Sequence, residues 1–337
     1  QLFRMIGSAS HAHKTEVEIE AAYPGMRCLL LPSSTLGLML LLEALGLRPG
    51  QEVLIEPLGW VSNWSCLRRA GLKPRFLALD ERLQVQPQDV AARIGPQTGA
   101  VIITHLLGRG QQGVIEISRI CRERGIPLLE DVAQSFGVSI QGRRAGTFGD
   151  GAWCSLNHHK ILSTGDGGFV LVRDPALFDQ VAARHDQGHS VRGGKRNPLP
   201  EPPPGLSLRV NEVTAAVLRG QLARYPLVRA RIQALHDLVE AECRNVLGLR
   251  TFDAFPGDIP FATFFTRPSG MRYPTLADAG WHVASNVPWL TAELGPQADE
   301  PNLRETFRRL QQITVIGSRF VDRYPGMPLR IRITDTA

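Results

Sequence analysis

The chain has 337 residues, 43% hydrophobic and 21% charged, with 33 Gly and 24 Pro scattered along it. That composition excludes disorder, collagen-like repeats and coiled coil, and the length suits one large domain with a smaller companion or two equal ones. The net charge of +6 is spread along the chain without an RNP, zinc-finger or basic-helix signature, so nucleic acid is not expected as a partner.

The longest apolar window, residues 29–47, is broken by Pro32, Ser33, Ser34, Thr35 and Glu43, so it reads as strand, turn and helix and no membrane span is expected. Residues 27–31, 52–55, 75–79, 100–104 and 127–130 read as buried strands. Between them 36–45, 61–69, 87–94 and 114–124 carry helical spacing. Short apolar runs separated by amphipathic helices predict a mainly parallel sheet covered on both faces. Residues 152–155 and 169–172 add strands flanking a loop, and 175–186 a further helix. The polar, Pro-rich stretch 188–205 predicts a loop or linker. Residues 211–247 are strongly helical with a kink or break at Pro226. The rest, with a helix near 303–312, reads as a small α+β piece. The expected division is therefore 1–205, a large α/β domain; 206–248, a bridging helix; and 249–337, a small C-terminal domain.

Ligands of an open α/β sheet bind at the carboxyl ends of its strands, so the polar residues there come first. Ser33, Ser34 and Thr35 lead from a strand into a helix, as an anion site or as a plain N-cap. Glu130 and Asp131 end an apolar strand, where a carboxylate is either functional or a loop brace. The next strand ends at Ser155 and is followed by His158, His159 and Lys160, then a Gly165-Asp166-Gly167-Gly168 turn. Sequence neighbours are expected to point apart, so the two histidines do not suggest a metal site. The five cysteines (Cys28, Cys66, Cys121, Cys154 and Cys243) form no CxxC pair and fit neither a disulfide framework nor zinc; they suit a reducing cytoplasm.

These separate signals converge on a resemblance. Residues 130–172, EDVAQSFGVSIQGRRAGTFGDGAWCSLNHHKILSTGDGGFVLV, resemble the heart of the DegT/DnrJ/EryC1/StrS family of PLP-dependent sugar aminotransferases. They carry an ED-x-AQ strand end, a GTFGD turn, a serine five residues before a lysine, and a GDGG turn. Upstream, LPSSTLGLMLLLEALGLRPGQEVLIEP and AVIITHLLG resemble further family segments, as does GLSLRVNEVTAAVLRGQL downstream, all in the right order.

The resemblance implies a three-layer α/β fold with a mainly parallel sheet, the fold type I of PLP-dependent transferases, with an abbreviated C-terminal α+β domain. It implies pyridoxal 5'-phosphate as cofactor and a homodimer with shared active sites. Lys160 would be the Schiff-base lysine and then the proton carrier between cofactor and substrate carbons. Asp131 would keep the pyridine nitrogen protonated, and Gln134 would contact the ring's phenolic edge. Trp60 would stack on the ring, the alternative being a core tryptophan. Ser34, Thr35 and Ser155 would hold the phosphate. Ser207 stands where the family usually has an asparagine reaching the neighbouring subunit's phosphate, and its shorter side chain weakens that contact. The family's dehydrating members carry His at the lysine position, so Lys160 points away from that branch. The expected reaction moves an amino group from glutamate or glutamine to a keto sugar, nucleotide sugar or cyclitol in a biosynthetic pathway. The alternatives are elimination or replacement on an amino acid, and a catalytically silent regulatory member of the fold.

Overall fold

A computed structural model describes residues 9–192, 195–245, 249–266, 282–283 and 294–317. Its framework is a sheet of seven strands among the described residues: β1 (Arg27–Leu31), β2 (Glu52–Ile55), β3 (Lys73–Phe76), β4 (Thr98–Thr104), β5 (Leu128–Asp131), β6 (Gly151–Ser155) and β7 (Gly168–Val172). The spatial order is β1-β7-β6-β5-β4-β2-β3. Only β7 runs against the others, pairing antiparallel with β1 and β6, so the carboxyl ends of the remaining six share one edge.

Each strand divides its side chains between two cores, as a period of two requires. Cys28, Leu30, Val101, Ile103, Leu128 and Cys154 enter one core. Leu29, Leu31, Ala100, Ile102, Leu129 and Trp153 enter the other. Helices α1 (His11–Ala22) and α5 (Val114–Arg124) cover the first face. On the second lie α2 (Ser34–Ala44), α3 (Val61–Arg69) and α6 (Pro175–His185). Burial on both faces explains why the strands read as continuous apolar runs.

Three elements differ from the sequence expectation. The strand expected at 75–79 lies at Lys73–Phe76, because Ala78 N–H turns to the Asp89 carboxylate at 2.8 Å and leaves the sheet. The stretch expected as a loop contains an antiparallel hairpin, β8 (His189–Arg192) with β9 (Lys195–Pro198). It is tied down by Arg196, which donates to the buried Asp186 at 2.8 and 2.9 Å. The break expected at Pro226 is present: α7 (Glu212–Ala223) stops and α8 (Tyr225–Asn245) starts afresh, with α4 (Pro87–Arg93) earlier in the chain. Helix α1 has no counterpart in the sequence reading; its buried face mixes Ala12 and Ile19 with Thr15 and Glu16, which hides the apolar period.

The C-terminal region contributes β10 (Ala262–Thr266), antiparallel to β11 (Ile313–Gly317), and α9 (Pro301–Leu310). This region covers the exposed edge of β3, where Phe76 N–H donates to Gln297 Oε1 at 2.9 Å and Leu79 N–H to Thr306 Oγ1 at 3.0 Å. No helix among the described residues is long and apolar enough to cross a membrane.

Candidate active site

The strand ends and the loops after them enclose a cavity of about 700 Å³. Ser34 and Thr35 open α2 above β1, and Trp60 precedes α3. Asp131 and Ser155 are the last residues of β5 and β6. Lys160 lies in the loop leading to β7. Of the eight residues singled out from the sequence, seven line this cavity: Ser34, Thr35, Trp60, Asp131, Gln134, Ser155 and Lys160. Ser207 does not; it is exposed and bridged to Asp186 at the C-terminal end of α6. Arg209, the basic group nearest it in sequence, is ion-paired with Asp186.

At the phosphate end, Ser33 takes the N-cap, its Oγ accepting from Thr35 N–H at 3.4 Å. The capping alternative therefore applies to Ser33 and leaves the Ser34 and Thr35 hydroxyls at the helix start, where the dipole favours an anion. The approach of α2 to the sheet requires Gly168, since a Cβ there would stand 2.6 Å from Ser34 N and 2.7 Å from Ser34 Cα.

The Lys160 loop is pinned at its base by Leu156 N–H to Gly167 O (3.0 Å) and His158 N–H to Gly165 O (3.1 Å). Gly165 and Gly167 sit at φ +87° and +128°, which the GDGG turn supplies without strain. The expectation that His158 and His159 point apart is overturned: their rings pack with centroids 3.6 Å apart on the cavity wall. Both residues lie in a turn, where the alternation of a strand does not apply.

Lys160 is half-buried, with Nζ 6.0 Å from the centre of the Trp60 ring. Burial holds its ammonium below the usual lysine range, while Asp131 and Cys154 push the other way. The chain has four lysines, and the other three (Lys14, Lys73 and Lys195) are exposed. Trp60 is 47% exposed, so it is no core tryptophan.

Asp131 is buried and accepts two hydrogen bonds, from Ala133 N–H on Oδ1 (2.9 Å) and from Asn63 Nδ2 on Oδ2 (2.7 Å). Burial raises its pKa; these two donors and Lys160 oppose the rise without cancelling it. Gln134 Oε1 accepts from Leu107 N–H at 3.2 Å, which leaves its Nε2 to donate. His105 serves as a brace. Its Nδ1 accepts from Gln111 N–H at 3.1 Å, so Nε2 carries the proton given to Glu130 at 3.0 Å.

Sequence reading missed Asn63, although it stands one helical turn after Trp60, a spacing that puts both on one face of α3. Also missed was Glu56, buried after β2, whose Oε1 accepts from Thr104 N–H at 2.8 Å. Burial, with Asp131 adding, pushes its carboxyl up to about 8. Part of the wall comes from Phe261, Ala262 and Val315, more than a hundred residues after Lys160, which no local pattern announces. Gly108 admits that wall: at φ +78°, its would-be Cβ lies 1.9 Å from Ile259 O.

An amine with a weakened proton affinity, a buried carboxylate and a phosphate-type helix start around one cavity are a donor set that fits pyridoxal phosphate. Residues 8–255 match the model of the DegT/DnrJ/EryC1/StrS aminotransferase family. The chain belongs to that family. A DegT-family relative, the L-glutamine:2-deoxy-scyllo-inosose aminotransferase of Streptomyces fradiae, is 34% identical over 80% of this chain and 64% of its own length. The GDP-perosamine synthase of Vibrio cholerae is 30% identical over 64% of this chain and 57% of its own. The chain thus spans a little under two thirds of such relatives. The aminotransferase TlmJ of Streptoalloteichus hindustanus superposes with a TM-score of 0.78 at 25% identity, covering 94% of this chain and 86% of TlmJ. The structure of 3-amino-5-hydroxybenzoic acid synthase shares the fold at a TM-score of 0.81 and 22% identity, over 99% of this chain and 91% of that one. The mainly parallel sheet, with its single reversed strand, is the α/β architecture of fold type I.

Proposed function

We propose that this protein is a pyridoxal-phosphate-dependent aminotransferase acting on a keto sugar, nucleotide keto sugar or cyclitol ketone, with glutamine or glutamate as amino donor. The observation that carries the reading is the placement of Lys160 and Asp131 on one cavity, Lys160 being the half-buried member of four lysines. Relatives named for both donor and acceptor support the substrate class.

Pyridoxal phosphate, when bound, supplies an electron sink and carries the amino group between donor and acceptor. The residues of this chain do the rest. Lys160 Nζ would hold the cofactor through its carbonyl carbon and then carry the proton between the reacting carbons, a task suited to an amine whose ammonium form is destabilised by burial. Asp131 would accept the hydrogen bond of the ring nitrogen and keep it protonated. Ser34, Thr35 and Ser155 would hold the phosphate at the start of α2, Trp60 would cover a ring face, and Gln134 Nε2 would donate to the phenolic edge.

A homodimer sharing its sites belongs to the same proposal. Leu206 and Leu227 are 64% and 70% exposed, and Val213 and Val217 extend this apolar surface from Ser207 along α7. The division into 1–205, 206–248 and 249–337 is retained in the proposal, α7 and α8 forming the bridge. Five free, buried thiols support residence in the reducing cytoplasm.

The test supplies α-15N-glutamate or α-15N-glutamine to the cofactor-loaded protein with a panel of keto sugars, nucleotide keto sugars and cyclitol ketones. Mass spectrometry should find labelled amine on one of these acceptors. Elimination products of the donor, or no transfer to any ketone, would overturn the reading.

A further inference from the structure

The Asp131 carboxylate is held by two donors of different standing. Ala133 N–H is two residues away, and any tight turn after β5 would offer it. Asn63 is 68 positions away and reaches Asp131 from another element, with Nδ2 2.7 Å from Oδ2. Its side chain is 3% exposed and lines the cavity. A primary amide in such a place requires a reason, because a buried polar group costs stability unless it is paired. Asn63 N–H bonds to Trp60 O at 3.1 Å, so a single helical turn fixes both the tryptophan and the amide relative to the strand end.

The charges around Asp131 explain what the amide does. Lys160 favours the carboxylate while burial opposes it. Asn63 is the strongest single group favouring the charged form. An amide N–H donates only, so it stabilises the anion and resists transfer of a proton onto the oxygen it touches.

We propose that Asn63 is a positioning residue for amino transfer, holding Asp131 anionic and turned so that it keeps the cofactor's ring nitrogen protonated. This rests on the proposed function. Without the amide, a proton shared between Asp131 and the ring nitrogen moves toward the carboxylate, and the ring becomes a weaker electron sink.

The test loads the wild type, Asn63→Leu and Asn63→Ala with pyridoxal phosphate labelled with 15N in the ring and records the nitrogen resonance by NMR. Wild type should show a pyridinium signal. Both variants should move toward the neutral pyridine value, and kcat should fall roughly ten- to hundredfold, as loss of one charge-assisted hydrogen bond implies. KM should change far less than kcat. Asn63→Ala carries the test if the leucine does not fold. A pyridinium signal retained in any folded variant would overturn the role of Asn63. A neutral ring in the wild type would also overturn it, yet leave amino transfer standing; a wild type that binds no cofactor would overturn both.

Discussion

Glu130 and Asp131 are consecutive buried carboxylates on β5, and strand alternation sends them to opposite faces of the sheet. Glu130 is fully satisfied. It accepts from Gly146, Phe148 and Gly149 N–H at 2.7, 2.6 and 2.7 Å and from His105, and these donors outweigh burial and hold its pKa below the usual carboxylate range. Asp131 has two donors among the described residues, faces the cavity, and is pushed above that range by burial. One carboxylate therefore organises the GTFGD turn, and the other is left underpaired for a ligand to complete. The difference is one of satisfaction, since both are equally buried.

The comparison can be broken by variants that should separate activity from stability. Lys160→Ala should reduce amino transfer at least about a thousandfold, the scale of a lost proton carrier, with the melting temperature of the cofactor-free protein little changed. Glu130→Ala should do the reverse. Stranding three backbone donors and His105 should cost about 3–5 kcal/mol, read as a lowered urea midpoint. Asp131→Asn preserves shape but cannot keep a ring nitrogen protonated, so kcat should fall on the order of a hundredfold while the protein still folds. Near-normal turnover in that variant would make Asp131 a second brace and end the distinction.

The pH dependence of stability should carry opposite signs for the two groups. The depressed Glu130 contributes stability that is complete above its unfolded value of 4.5 and is lost as pH falls through its folded value. The raised Asp131 favours the cofactor-free fold below its unfolded value of 3.8, and that contribution is lost as pH rises through its folded value. Melting curves of wild type against Glu130→Gln and against Asp131→Asn, measured without cofactor across acid pH, should therefore diverge in opposite directions. The smallest expected effect is at Ser207. Ser207→Asn should slow loss of cofactor on dialysis roughly tenfold through one added hydrogen bond, and only in the dimer.

The sheet was legible because two-sided burial writes its strands around short apolar runs, as in residues 29–31 of β1 and 100–103 of β4. Helix α1 was illegible because Thr15 and Glu16 occupy its inner face, where Glu16 accepts from Leu30 N–H at 3.1 Å. The hairpin β8–β9 was illegible because its anchor, Asp186, lies outside the Pro-rich stretch that hid it. At the site, Asp131, Gln134, Ser155 and Lys160 were readable through the family resemblance that one segment carries. Asn63 required knowing which strand end α3 would face, and Phe261, Ala262 and Val315 required the tertiary fold itself.

The central claim is that Lys160 carries the cofactor, and borohydride reduction of the loaded protein followed by peptide mapping tests it most directly. The cofactor's mass should appear on the peptide containing Lys160 and be absent from those containing Lys14, Lys73 and Lys195. Reduced cofactor on one of those three exposed lysines, or on no peptide, would contradict the account.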